Sequence, residues 1–206
     1  MHPFREYAPI ADIQVVELVR RNPFAAVVSV DDGVPVATHV PLITPPSQPL
    51  CEGGMLWGHM ARVNPQWRSF DPVCPVLVIF TGADAYVSGS FYEQDPAVPT
   101  WNYSAAHITA LPQIVPEGDE TMQVLTETVR AVEDLREHPW DMGSSLQRFH
   151  QIAGGVVAFT LQVVTIQSMF KLSQEKPDEV WQRVHDRLDA EPLTAPVARD
   201  MAALRP

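Results

Sequence analysis

The clearest regularity in the chain is a period of two. Gly155 to Val164 alternates apolar and polar positions, which puts Val157, Phe159, Leu161 and Val163 on one face, and the pattern runs on past Thr165 toward Lys171. Earlier, Phe24 to Val30 is rich in β-branched residues, Asp31-Asp32-Gly33 is a turn signal, and Val34 to Val40 returns, which predicts a hairpin. Met55 to Met60 reads as a third strand, with Met55, Trp57 and His59 on one face; His59 is therefore expected to point where two large apolar side chains point. Val76 to Phe80 is continuously apolar, as expected of a strand covered on both faces, and Asp84 to Ser90 is read as a separate strand pairing with it.

Helical spacing occurs in three places. Asp12 reads as the N-cap of a helix through Arg21, with Ile13, Val15, Val16 and Val19 as its stripe and Asn22-Pro23 as its stop. Gly118 to His138 carries Met122, Leu125, Val129 and Val132 at helical spacing, with Asp119 and Glu120 in the first turn, where negative charge suits the helix dipole. Pro177 is placed as an N1 proline before a helix striped by Trp181, Val184 and Leu188. Ser144 to Gln151 adds a short helix. Phe91 to Tyr103 reads as an ordered aromatic loop, and residues 191–206 as a loosely held tail.

Seven or more strands with short turns, and helices grouped at the start, the 120s and the end, predict an α+β chain built on a β-barrel with peripheral helices. One domain is expected over residues 1–190. A net charge of -11 with only 14 basic residues argues against tracking a phosphate backbone, so no nucleic acid is expected. The N-terminus lacks an apolar leader and no run approaches a membrane span; a soluble cytoplasmic protein is expected, with no membrane partner. Cys51 and Cys74 form no C-x-x-C pair.

The densest chemistry lies in Gly58-His59-Met60-Ala61-Arg62-Val63-Asn64-Pro65-Gln66-Trp67. A neutral imidazole at position 59 is either a ligand to iron through one ring nitrogen or a core histidine bonded to a backbone carbonyl, and the residues leave both open. Arg62, Arg68 and Lys171 are cations suited to a phosphate or a propionate, with solvated surface charge as the alternative. Tyr86, Tyr92, Trp101 and Tyr103 offer phenols or walls to a pocket, or core packing. His39 and His107 sit on predicted strands, whereas His138, His150 and His185 show no ligand spacing. No G-x-S-x-G, P-loop, H-E-x-x-H or G-x-G-x-x-G is present.

Taken in order, THVPL (38–42), GHMARVNPQW (58–67), VPTWNY (98–103) and KLSQE (171–175) resemble the PaiB-like family of FMN-binding negative transcriptional regulators, over about Phe24 to Leu188. The resemblance implies a split β-barrel, FMN-binding-like, that forms a homodimer and binds a planar cofactor at the subunit interface. Where those regulators tend to read GPHAYISPSWY, this chain reads GADAYVSGSFY from Gly82 to Tyr92, without the His, two prolines and the Trp. Its MFKLSQEKP segment (169–177) is more similar to a branch of heme-dependent piperazate synthases.

That branch implies closure of δ-N-hydroxy-L-ornithine to L-piperazic acid. It implies heme b, with FMN as the alternative cofactor, and His59 as the axial metal ligand. The cofactor-binding positions carried over are His59, Arg62, Asn64, Trp67 and Trp101. Lys171, Tyr86 and Tyr92 are placed in the proton traffic, with Arg62 holding a carboxylate or propionate. The GH pair also occurs in flavin-type members, so a flavin oxidoreductase, a PaiB-type regulator and a heme-storage or heme-degrading protein remain open alternatives.

Overall fold

A computed structural model describes residues 2, 4–9 and 11–205. Its elements run α1 (Asp12–Arg21), β1 (Phe24–Asp31), β2 (Val34–Ile43), β3 (Met55–Ala61), β4 (Val76–Val87), β5 (Thr100–Ile114), α2 (Asp119–Glu133), α3 (Leu146–Ile152), β6 (Val156–Lys171), α4 (Asp178–Asp189) and α5 (Ala195–Leu204). The strands hydrogen-bond in the order β1-β2-β3-β6-β5-β4 and close into a barrel. This is the α+β split-barrel architecture that the periodicities and the motifs predict. A closed ring leaves no unpaired edge.

Among the described residues the strands number six, because Val76–Val87 is one strand where two were expected. Its buried positions are even through Phe80 and odd from Ala85, a one-residue change of phase of the kind a β-bulge produces. In that break a Cβ on Gly82 would lie 2.2 Å from Ser104 Oγ and 2.8 Å from Leu18 Cδ1, so only glycine fits. The aromatic stretch after Tyr92 is likewise shorter as a loop than expected, since Trp101 and Tyr103 already belong to β5.

By contacts the chain divides into two compact units. The first comprises Met1–Leu18, Thr81–Ala106 and Gln167–Pro206; the second comprises Val19–Phe80 and His107–Ile166. The second unit is centred on Leu42, Leu56, Phe80, Ile108, Phe159 and Leu161, all fully buried. The β1-β2 hairpin register, Val27 opposite Thr38, turns on Asp32 and Gly33, both at positive φ. The predicted face of β6 is borne out, with Val157, Phe159, Leu161 and Val163 all buried.

Helix α2 ends at Glu133, well before the expected His138, and it buries Thr121, Met122, Val124 and Thr128 rather than the Leu125–Val129–Val132 stripe. Threonine is tolerated inward because each hydroxyl is satisfied locally: Thr121 Oγ1 donates to Pro116 O (2.8 Å) and Thr128 Oγ1 to Val124 O (2.7 Å).

In the first unit, residues 195–204 correct the expectation of a loose tail. They form α5, with Pro196 in its first turn, and bury Val197, Ala198, Met201 and Leu204. Helix α4 packs on α5 and buries Val180, Val184 and Leu188. An ion pair between Arg205 and Asp178 joins the end of one helix to the start of the other. Among the described residues no helix is long and apolar enough to cross a membrane.

Candidate functional site

Strand β3 alternates strictly, with Leu56, Gly58 and Met60 buried and Met55, Trp57 and His59 half-buried on the other face. The expected sharing of a face holds, but that face is not the one that packs the strand's buried core. Trp57 packs there against Val115, Val124 and Ala158. Gly58 faces inward, where a Cβ would lie 2.3 Å from Leu42 Cδ2 and 2.9 Å from the Phe159 ring, so the glycine of the GH pair is a packing requirement.

Most of the segment that follows is scaffold. Asn64 accepts from Gln66 N (3.0 Å) and so caps the 3-10 turn Pro65–Ser69, while its Nδ2 donates to Thr38 Oγ1 (2.9 Å). The buried Gln66 amide donates from Nε2 to Val27 O (3.0 Å), Val36 O (3.0 Å) and Ser29 Oγ (3.1 Å), pinning the turn beneath the β1-β2 hairpin. Trp67 Nε1 donates to Arg62 O (3.1 Å). The guanidinium of Arg62 donates to Gly154 O (2.7 Å) and Val156 O (2.9 Å) and pairs with Glu117 (2.7 Å). Three partners of its own chain already surround that cation.

Two buried atoms of the segment stay unmet among the described residues, Gln66 Oε1 and His59 Nδ1. Burial holds the imidazole below the ordinary histidine value, so the ring is neutral at pH 7. Satisfying such an atom is worth on the order of 1–3 kcal/mol. A neutral imidazole is the form that can donate to iron, and among the described residues no carbonyl bonds His59 Nδ1 as the core-histidine alternative requires.

Arg68, also in the second unit, lies over the Trp67 ring at 5.3 Å. The tyrosine, Trp101 and Lys171 candidates lie in the first unit. Tyr86 and Trp101 are about half exposed, with ring centroids 5.9 Å apart, and Trp101 Nε1 donates to Asp84 Oδ1 (2.9 Å). Tyr92 is buried at the end of the 3-10 turn Gly89–Tyr92, and its hydroxyl has no partner among the described residues. Burial first, and then the Glu175 carboxylate and Tyr86, push this phenol up. Lys176 lies over the Tyr92 ring at 5.0 Å. Lys171 ends β6 and donates to Thr100 Oγ1 (2.5 Å), with the Tyr7 ring 5.6 Å away.

Tyr7 and Thr100 were not singled out from the sequence. Tyr7 sits in a short turn near the N-terminus, far from any motif, and only the fold brings it to Lys171. The KLSQE segment explains how. Gln174 Nε2 donates to Phe170 O (2.5 Å) and Glu6 O (3.0 Å), while its Oε1 accepts from Leu172 N (2.7 Å). Ser173, at positive φ, exchanges hydrogen bonds with Asn102 of the WNY motif (2.9 and 3.0 Å).

His39 packs on Phe24, and His185, which is assigned no chemistry, stacks on Trp181. His107 is held low by burial. A cavity of about 220 Å³ beside α2 is lined by Glu117, Asp119, Thr121, Met122 and His150 among others, and by none of the expected site residues. Among the described residues no cluster of three His, Cys, Asp or Glu is arranged to hold a metal ion.

The family model described as "Putative FMN-binding domain" matches residues 1–165. The chain is 35% identical over 193 residues to "Protease synthase and sporulation protein PAI 2" of Bacillus subtilis strain 168, covering 93% of this chain and 89% of that one. Two solved structures share the fold: the FAD and heme binding protein from Mycobacterium smegmatis (TM-score 0.59, 17% identity, 85% and 78% of the chains) and the flavocytochrome Anf3 from Azotobacter vinelandii (TM-score 0.54, 12% identity, 88% and 78%). On the extent of the family match and of the Bacillus likeness, the chain belongs to the PaiB-like family of FMN-binding-type split barrels.

Proposed function

We propose that this protein is a heme-dependent piperazate synthase, closing δ-N-hydroxy-L-ornithine to L-piperazic acid. The observation that carries the reading is His59: a neutral imidazole with a buried, unmet Nδ1, outside any cluster of further metal ligands among the described residues. A metal held by one side chain must bring its other ligands with it, as the iron of heme b does.

The reaction forms a bond between the α-nitrogen and the δ-nitrogen and breaks the δ-nitrogen–oxygen bond. The hydroxyl leaves as water and no net electrons are transferred. When bound, heme supplies a Lewis-acidic iron that polarises the nitrogen–oxygen bond. His59 sets the basicity of the donor to that iron. The attacking amine has an ordinary pKa near 8, so a proton must be taken from it and one delivered to the departing oxygen. Tyr92 is assigned delivery because its Oη carries a proton at pH 7 and no described residue engages it. Tyr86, 5.9 Å from Trp101, is a second phenol for the same traffic, and Lys171 belongs to the same unit.

Arg62 is assigned a different part from the one expected of it. Its guanidinium is already engaged by two carbonyls and Glu117, so we propose that it shapes the end of β3 behind His59 rather than holding a free carboxylate. Asn64 and Trp67 support the same turn, and Trp101 offers an aromatic wall. A homodimer belongs to this reading, and light scattering of the purified protein reads it as twice the chain mass.

The test is direct. Purified protein is expected to carry a Soret band and to convert δ-N-hydroxy-L-ornithine into a product lighter by one water. A protein that loads heme and leaves this substrate untouched contradicts the reaction.

The family description favours a second reading, an FMN-binding oxidoreductase or a PaiB-type regulator. It predicts paired flavin bands in place of the Soret band, and for a regulator salt-dependent duplex binding, against which the charge of -11 weighs.

A further inference from the structure

Lys171 differs from most lysines of a folded chain in what surrounds it. Its Nζ donates to Thr100 Oγ1 at 2.5 Å and faces the Tyr7 ring at 5.6 Å. Among the described residues no carboxylate forms an ion pair with it. The adjacent Glu175 pairs instead with Lys176 at 3.4 Å. Tyr103 does not compete either, since its hydroxyl donates to Met169 Sδ at 2.7 Å.

An ammonium has three N–H donors, of which Thr100 takes one. Because Thr100 Oγ1 accepts from Nζ, its own hydroxyl hydrogen is directed elsewhere and remains a donor. Two donors thus stand side by side, one of them charged, and that pair matches the two oxygens of a carboxylate. A phosphate, with three or more acceptor oxygens, would call for more donors than these two.

The pair is also held in place. Gln174 ties Phe170, Leu172 and the backbone of Glu6 together, and Asn102 and Ser173 lock β5 to the turn after β6. The same ties bring Tyr7 over the lysine. Burial, Glu175 and Glu6 push the Tyr7 phenol up to about 12, so it adds no negative charge there at neutral pH.

We propose that Lys171 Nζ and Thr100 Oγ1 form a carboxylate-binding subsite, walled by the Tyr7 ring, that takes the α-carboxylate of the amino-acid substrate. The identity of the amino acid rests on the piperazate synthase reading; the carboxylate chemistry does not. Lys171 then works as a fixed charge, and proton transfer falls to the phenols. In the family's terms the KLSQE turn is a mount for this cation.

Calorimetry on the purified protein tests it with three probes: L-ornithine, putrescine (the same two amines without the carboxylate) and inorganic phosphate. L-Ornithine is expected to bind at least tenfold more tightly than putrescine. Lys171→Met and Thr100→Val are each expected to erase that preference, and Lys171→Arg to keep part of it. Equal binding of the two amines overturns the proposal, as does an unchanged preference in a folded Lys171→Met or Thr100→Val protein. Phosphate binding tighter than L-ornithine and dependent on Lys171 assigns the cation to a phosphate and overturns it too. A Lys171-dependent preference without cyclisation of δ-N-hydroxy-L-ornithine leaves the subsite standing and removes the reaction; cyclisation with an unchanged KM in Lys171→Met does the reverse.

Discussion

Arg62 and Lys171 carry the same charge, each ends or follows a strand, and each lies in a motif of the family. Arg62 is engaged by its own chain: two carbonyls of residues 154 and 156 and the Glu117 carboxylate take its Nε and Nη2. Lys171 has one hydroxyl and one aromatic ring. A cation's role is thus set by what competes for it, and competition is a property of the fold. The contrast extends to the segments around them. Residues 58–67 are mostly bonded polar scaffold, with the His59 imidazole and Gln66 Oε1 left unmet among the described residues, whereas the first unit carries an unmet phenol at Tyr92 and, at Lys171, a cation with no ion pair among the described residues.

Substitutions in the first segment should therefore cost stability, and substitutions in the second should cost binding. The largest effect is expected at Gln66→Leu, which strips Val27 O, Val36 O and Ser29 Oγ of their donor and should destabilise the fold by about 3 kcal/mol, read as a shift of the urea midpoint. Arg62→Met should cost roughly 1–3 kcal/mol by the same assay. Lys171→Met, in contrast, should stay within about 0.5 kcal/mol of the parent. Equal destabilisation by the two cation variants would erase the distinction between them. Asn64→Ala removes a cap and should cost about 1 kcal/mol, with ligand binding unchanged.

A smaller effect follows from titration. Burial depresses the His59 pKa in the folded chain, so between that value and the ordinary 6.5 the unfolded state binds more protons. Stability is complete above about pH 6.5 and is lost as the pH falls through the folded value. In the cofactor-free protein His59→Gln should flatten this acid limb of the stability curve. A limb as steep in the variant as in the parent would assign it to other groups, His107 among them. The smallest signal is spectroscopic: the Tyr7 phenol should ionise near 12, and Tyr7→Phe should remove that step from the alkaline absorbance titration.

Much of the barrel was legible in the sequence because alternation survives wherever one face of a strand is buried. The β1-β2 hairpin, β3 and β6 follow from Asp31-Asp32-Gly33 and from strict period two. The join at Gly82 was not legible, since a change of phase within one strand looks like two strands with a turn between them. Helix α5 was hidden by Pro192 and Pro196, which read as breakers although Pro196 sits in the first turn, where proline is tolerated. In α2 the inward threonines broke the apolar stripe.

At the candidate site the motifs name residues but not the partners that decide what each can do. Nothing in GHMARVNPQW distinguishes a guanidinium bound to carbonyls of residues 154 and 156 from one waiting for a ligand. That distinction needs partners some 90 positions away. Lys171 is likewise remote in sequence from Thr100, 71 positions away, and further still from Tyr7, which carries no motif at all.

The central claim is that the His59 nitrogen coordinates iron, and the visible absorption spectrum of purified protein reads it in one step. A Soret band in the parent that is lost in His59→Ala, with the variant still folded, is the predicted result. Flavin bands in the parent, or a Soret band untouched by the substitution, would contradict it.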